Sequence, residues 1–230
     1  MHNYLDATDS KSFPKEIIEL FSAHKSEIEG YKSVCDISLP DSFVNNARDV
    51  YKDYNVIAYH YTREIELGYF KKYGLRTLDF EKHKQFVLGV LQNMLPIKLL
   101  ESIKSLPVPD GRENDNSIWF CYQRDDSDTG IIPLVRYFGG ECIPGQLTEA
   151  DNKQLLNVLE QIGNPVVVKF CYRACDVEGC TLLKIMLSSY LQKFCDRDFH
   201  VFKGEDNIKK GITPEQIIDV CPVKLPASIC

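Results

Sequence analysis

Val56-Ile57-Ala58-Tyr59-His60-Tyr61-Thr62 is the stretch on which the reading of this chain turns. A compact run of β-branched and aromatic residues is the pattern of a buried strand. Thr62 then predicts a cap for a following helix, with Glu64 in its first turn and Gly74 at its far end. Before the strand, Ile17, Ile18 and Phe21 predict a short amphipathic helix between Pro14 and Gly30, and Phe43, Ala47 and Val50-Tyr51 predict a second after Asp41-Ser42. Residues 1–12 are polar and are expected to fray.

Beyond the strand, residues 80–106 read as one or two helices broken near Pro96, followed by a loop over 107–116. Ile118-Trp119-Phe120-Cys121-Tyr122 is a second strand, and Val135 to Phe138 a third apolar piece ending in Gly139-Gly140-Glu141. Thr148 opens a helix to about Ile162, Pro165 to Tyr172 is the clearest strand, and a helix covers residues 181–194. A short strand at 199–202 and a Pro214-Glu215-Gln216-Ile217 turn into Val220 close the chain. Helices fall irregularly between short strands, which indicates a mixed α+β fold rather than a doubly wound sheet. A helical N-terminal segment, residues 1–54, precedes an α+β domain over residues 55–230.

The 230 residues carry 44% hydrophobic and 26% charged side chains, which excludes collagen-like, coiled-coil and wholly disordered chains. A net charge of −6 leaves no broad basic field for duplex DNA, so a nucleic-acid role would need a local patch. Met1-His2-Asn3-Tyr4-Leu5-Asp6 has neither the basic nor the apolar region of a secretory signal. The most apolar stretch, Phe86 to Leu100, is interrupted by Gln92, Asn93, Pro96 and Lys98, so no membrane association is expected. Nine scattered cysteines then fit a cytoplasmic protein with reduced thiols.

Two motifs carry candidate chemistry. In Tyr59-His60-Tyr61-Thr62, a histidine at the end of an apolar strand has two ring nitrogens to satisfy, beside a helix start where backbone N–H groups meet anions. The bland alternative is a satisfied core histidine. In Tyr137-Phe138-Gly139-Gly140-Glu141, two glycines allow close backbone approach, and the carboxylate that follows could orient a ribose hydroxyl or take a proton from a nucleophile. Its alternative is a hairpin turn with a solvated Glu141.

Together the motifs resemble the ADP-ribosyltransferase superfamily, in its diphtheria-toxin-like and DNA-targeting toxin branches. The resemblance covers residues 55–225 and rests on His60-x-Thr62, the helix to Gly74-Leu75, and Glu141 on a later strand. It implies a split mixed β-sheet core and NAD as ADP-ribose donor. It also implies His60 as the residue holding the NAD ribose and nicotinamide amide, and Glu141 as the catalytic carboxylate. Tyr59, Tyr61, Thr62 and Tyr137 would line the NAD site. Some bacterial proteins with a similar Tyr-Phe-Gly-Gly-Glu motif belong to toxin–antitoxin or phage-defence operons, which implies a macromolecular acceptor, nucleic acid or protein, and a neutralising antitoxin partner. The middle motif departs from the family: Ser117-Ile118-Trp119 keeps a serine entering a strand without the full Ser-Thr-Ser triplet. Tyr61, Tyr69, Tyr73 and Tyr122 all stay open as nicotinamide-stacking rings.

The implied chemistry suits these residue types. Cleaving the nicotinamide–ribose bond builds an oxocarbenium-like centre, which a carboxylate stabilises as in glycoside cleavage, with no metal required. Two rival classes remain: a non-catalytic interaction protein that keeps the fold without NAD binding, and a zinc-dependent nucleic-acid binder. The latter would use Cys171, Cys175, Cys180, Cys195 and His200, which form only half of a paired zinc-knuckle pattern. Lys71-Lys72 and Lys209-Lys210 read as solvated faces, and Arg124-Asp125-Asp126-Ser127-Asp128 as an acidic loop. In an ADP-ribosyltransferase that loop would sit near the acceptor.

Overall fold

The run Pro165–Tyr172 forms the most enclosed strand because both its faces are apolar: Val166, Val167, Val168, Phe170, Cys171 and Tyr172 are all buried. In the structure, a computed structural model, the described residues are 4–29, 39–109, 111, 115–126, 129–140, 142–147, 149–194 and 204–225. Among them the strands are β1 (Tyr4–Leu5), β2 (Asn55–Glu64), β3 (Ile118–Cys121), β4 (Asn164–Arg173), β5 (Glu205–Ile208) and β6 (Ile217–Pro222). The helices are α1 (Lys15–Ala23), α2 (Lys25–Ile28), α3 (Asp41–Tyr51), α4 (Tyr69–Tyr73), α5 (Phe80–Leu91), α6 (Ile97–Lys104), α7 (Ile132–Arg136), α8 (Glu149–Gln161) and α9 (Thr181–Phe194). The fold is α+β. Its open six-stranded sheet has the order β5-β3-β2-β4-β6, with β1 beside β2.

β3 runs antiparallel to β2, with Tyr59 opposite Cys121, and β1 runs parallel to it, with Leu5 opposite Val56. Residues 4–12 therefore do not fray as expected. Leu5 and Ala7 are fully buried, and the Asp9 carboxylate accepts from Lys11 N at 3.0 Å. Burying the Leu5 and Ala7 side chains outweighs the polarity of their neighbours. The strand expected at 199–202 lies outside the described residues; β5 follows at Glu205–Ile208.

The chain divides into two compact units, Met1–Tyr59 with Trp119–Arg124 and Phe170–Asn207, and His60–Ile118 with Asp125–Lys169 and Ile208–Cys230. In the first, α1 meets α9 and α3 through aromatic contacts: Phe21 packs edge-on against Tyr190 at 5.3 Å between ring centroids and stacks on Phe43 at 6.1 Å. The helical segment expected over residues 1–54 belongs to this unit. In the second, α5, α6 and α8 enclose a core of Phe80, Val87, Leu91, Ile103, Leu155 and Leu159. The Asp79 carboxylate caps α5 by accepting from Lys82 N at 3.0 Å. Pro96 separates α5 from α6, as the sequence predicts. No helix among the described residues is long and apolar enough to cross a membrane.

Candidate functional site

β2 carries the first motif. Val56 and Ala58 are buried, Tyr59 and His60 half-buried, and then Tyr61 and Arg63 buried, so the inward-facing set changes phase between Ala58 and Tyr61. A strand's side chains alternate faces with period two, so a one-residue phase change re-aims everything beyond it. His60, Tyr61 and Thr62 fall in the second unit, while Tyr59 ends the first segment of the other. Thr62 does not cap a helix, because the strand continues to Glu64 and α4 begins only at Tyr69, after Gly68 at φ 84°. The buried Glu64 carboxylate reaches α4 from outside, accepting from Phe70 N at 3.5 Å.

Arg63 explains the longer strand, and sequence reasoning missed it. Its guanidinium has five N–H donors and five backbone carbonyls to receive them. Nε donates to Ile162 O at 2.7 Å, one terminal nitrogen to Val135 O and Arg136 O at 2.8 and 2.9 Å, and the other to Glu160 O and Gly163 O, both at 2.8 Å. These carbonyls belong to the C-terminal ends of α7 and α8, where a cation also meets the negative ends of the helix dipoles. Burial lowers the Arg63 pKa, and the nearby Glu160 carboxylate opposes that shift. Gly163 completes the clamp at φ +66°, where a Cβ would stand 2.6 Å from Glu64 O. The signal available in the sequence was a cation placed directly after an apolar strand.

The second motif is not on a strand. Pro133 lies in the first turn of α7, which ends at Arg136; Tyr137 is extended, and Gly139 and Gly140 turn at φ 96° and 61°. The turn is anchored by Phe138 N donating to Leu159 O at 2.9 Å and Gly140 N to Tyr137 O at 3.2 Å. His83 on α5 contacts Gly139 O through Nε2 at 3.2 Å. Because a carbonyl only accepts, Nε2 carries the proton. Burial pushes the His83 imidazole pKa down, and the Gly139 carbonyl opposes the shift. The half-buried Tyr137 ring lies 4.9 Å from the Arg136 guanidinium carbon, and Arg136 Nε is 3.4 Å from Glu160 Oε1. Glu141, the expected carboxylate, lies outside the described residues.

The candidate rings differ in surroundings. The Tyr61 hydroxyl accepts from Asp125 N at 2.9 Å and donates to Asp126 Oδ1 at 3.4 Å, tying β2 to the acidic loop. Tyr122 is buried in the other unit, where Tyr172 OH donates to it at 2.9 Å and it donates to Asp206 Oδ2 at 3.1 Å. Burial raises the pKa of both tyrosines and of Asp206. Tyr69 and Tyr73 pair with each other at 4.9 Å.

Cys121, Cys142, Cys171, Cys175, Cys180 and Cys221 form no disulfide with one another, and no metal-holding group of His, Cys, Asp and Glu occurs among the described residues. Cys195 and His200 lie outside them. No family model, curated protein or solved structure matches the chain.

Proposed function

We propose that the protein transfers ADP-ribose from NAD to a macromolecular acceptor on a split-sheet ADP-ribosyltransferase-like core. The observation that carries the reading is the Arg63 clamp. It draws the end of α7, 72 residues along the chain, onto the strand that bears His60. His60 precedes Arg63 by three residues, about 10 Å along an extended strand. From the clamped Val135 and Arg136 carbonyls the chain runs through Tyr137 and the Gly139-Gly140 turn into Glu141. His60 and the Tyr137–Gly140 segment, distant in sequence, thereby belong to one unit.

The residues present suit the donor. His60 and Thr62 stand two apart on β2 and are half-buried, which suits contacts to a ribose and a carboxamide. Tyr137 offers a half-buried ring, and Tyr61 fixes the acidic loop. NAD supplies the scissile bond between nicotinamide and ribose C1′, and that electron pair leaves with nicotinamide. His60 orients the ribose. The role left to the Glu141 carboxylate is to stabilise the developing positive charge and to accept the proton of the acceptor's nucleophilic atom as that atom bonds to C1′. Arg63, with all five donors engaged, positions and does not bind phosphate.

Incubation with labelled NAD, followed by separate nuclease and protease digestion, identifies the modified macromolecule. Glu141→Gln should abolish transfer with an unchanged circular-dichroism spectrum, and His60→Ala should chiefly raise the KM for NAD. Transfer retained in Glu141→Gln removes the assignment. Calorimetry that finds no NAD binding at millimolar concentration replaces the reading with the non-catalytic one.

A further inference from the structure

β5 is a weak strand by composition. Glu205-Asp206-Asn207-Ile208 ends the sheet beside β3, and three of its four residues are polar types that disfavour extended structure. Asp206 and Ile208 are the buried pair, 9% and 1% exposed. A carboxylate on the buried side of an edge strand is expelled to water unless donors meet it. Tyr122 OH donates to Asp206 Oδ2 at 3.1 Å and Asn207 N to Oδ1 at 2.9 Å, and the Thr181 hydroxyl, at the start of α9, is a third donor. Tyr172 OH on β4 donates in turn to Tyr122 OH at 2.9 Å. These residues all belong to the first unit. Asn207 N is part of β5 itself, so Tyr122 and Thr181 are the two partners of Asp206 that tie the strand to its surroundings.

We propose that Asp206 is a proton-operated latch on β5, engaged while its carboxyl is protonated and loosened as the carboxyl ionises. The neutral form keeps the contacts, because the Thr181 hydroxyl accepts a proton from Asp206 as readily as it donates one. The ionised form buries a charge on which no cation among the described residues acts. Burial accordingly holds the Asp206 pKa above its ordinary 3.8, against the pull of the Asn207, Tyr122 and Thr181 donors. Tyr122, Tyr172 and, on α3, Tyr51 are the titratable groups coupled to it, and burial raises all three, so each stays neutral in acid and at neutrality. Arg48 and Cys180 act on Tyr51. Opening of β5 returns Asp206 to water, where the ordinary 3.8 applies. The folded value being the higher one, the stabilisation is complete below 3.8 and is lost as pH rises through the folded value. Between the two values the opening constant of β5 grows about tenfold per pH unit, and above the folded value it is level. No residue assigned to ADP-ribose transfer takes part, so the latch stands or falls apart from that reaction.

The test joins two measurements on the full chain from about pH 4 to about pH 8: an NMR titration of the Asp206 carboxyl carbon, and hydrogen-exchange mass spectrometry of residues 205–208 with each rate divided by its intrinsic value at that pH. Protection of β5 should fall as pH rises and level off where the carboxyl titrates, at one shared midpoint above 3.8. D206N keeps the shape and cannot ionise, so its protection should be level with pH. Y122F removes a donor that favours the carboxylate and should move both midpoints upward. A carboxyl midpoint at or below 3.8 overturns the latch, as does wild-type protection that is level or rises with pH. So do a D206N profile as steep as the wild type's and midpoints unmoved in Y122F. The wild-type titration decides even where a variant does not fold.

Discussion

Replacing Arg63 with alanine strands five carbonyl oxygens at once, three of them at the end of α8 and two at the end of α7. Hydrogen bonds to a charged donor contribute about 1.5–3 kcal/mol each, so even the low figure for five bonds gives roughly 7 kcal/mol. Two effects reduce that sum. The truncated side chain leaves space through which water reaches some of the carbonyls, and the cost of desolvating a guanidinium disappears. A net loss of about 3–5 kcal/mol remains, the range found when one partner of a buried charged contact is removed. Arg63→Lys keeps the charge but has at most three donors and no planar fork, so about 2 kcal/mol is expected. Urea unfolding followed by far-UV circular dichroism measures both. With a slope of about 2–3 kcal/mol per molar, alanine should lower the midpoint by about 1–2 M and lysine by about half as much. Amide exchange across α8 should accelerate in parallel. An alanine variant within about 1 kcal/mol of the wild type would refute the clamp as an anchor.

Gly74→Ala forces a side chain into a φ of +71° and against the Ile212 carbonyl oxygen, so it should cost about 3 kcal/mol or more and expose the Leu75 and Ile212 amides to exchange. Hydrogen-exchange mass spectrometry of residues 72–78 and 209–214 checks this; unchanged protection contradicts it. His83 has a folded-state pKa lowered below the ordinary 6.5. Its contribution is therefore fully present above that value and is lost as pH falls through the folded-state pKa, because the unfolded chain binds the proton first. Chemical denaturation from pH 7.5 down to 5.5 should show a steeper loss in the wild type than in His83→Gln. Identical slopes would count against the His83–Gly139 contact.

The parts of this protein legible in the sequence are those decided by local chemistry. The break at Pro96, the helix at Thr181–Phe194 and the strand Asn164–Arg173 follow from a fixed φ, from helical spacing and from an apolar run. The α+β class follows from their irregular order, and His60 was visible as a polar residue inside such a run. Three features were not legible, each for a tertiary reason. β2 continues through Thr62, Arg63 and Glu64 because carbonyls from two distant helix ends satisfy a cation that would otherwise be expelled to solvent. Val135–Phe138 is a helix end followed by one extended residue, since a short apolar run does not distinguish strand from helix until its packing partners are in place. Lys71-Lys72 reads as a solvated face, yet the Lys71 ammonium is seated on the Ile217 and Ile218 carbonyls, because a charge-assisted contact depends on distance in space and not on distance along the chain.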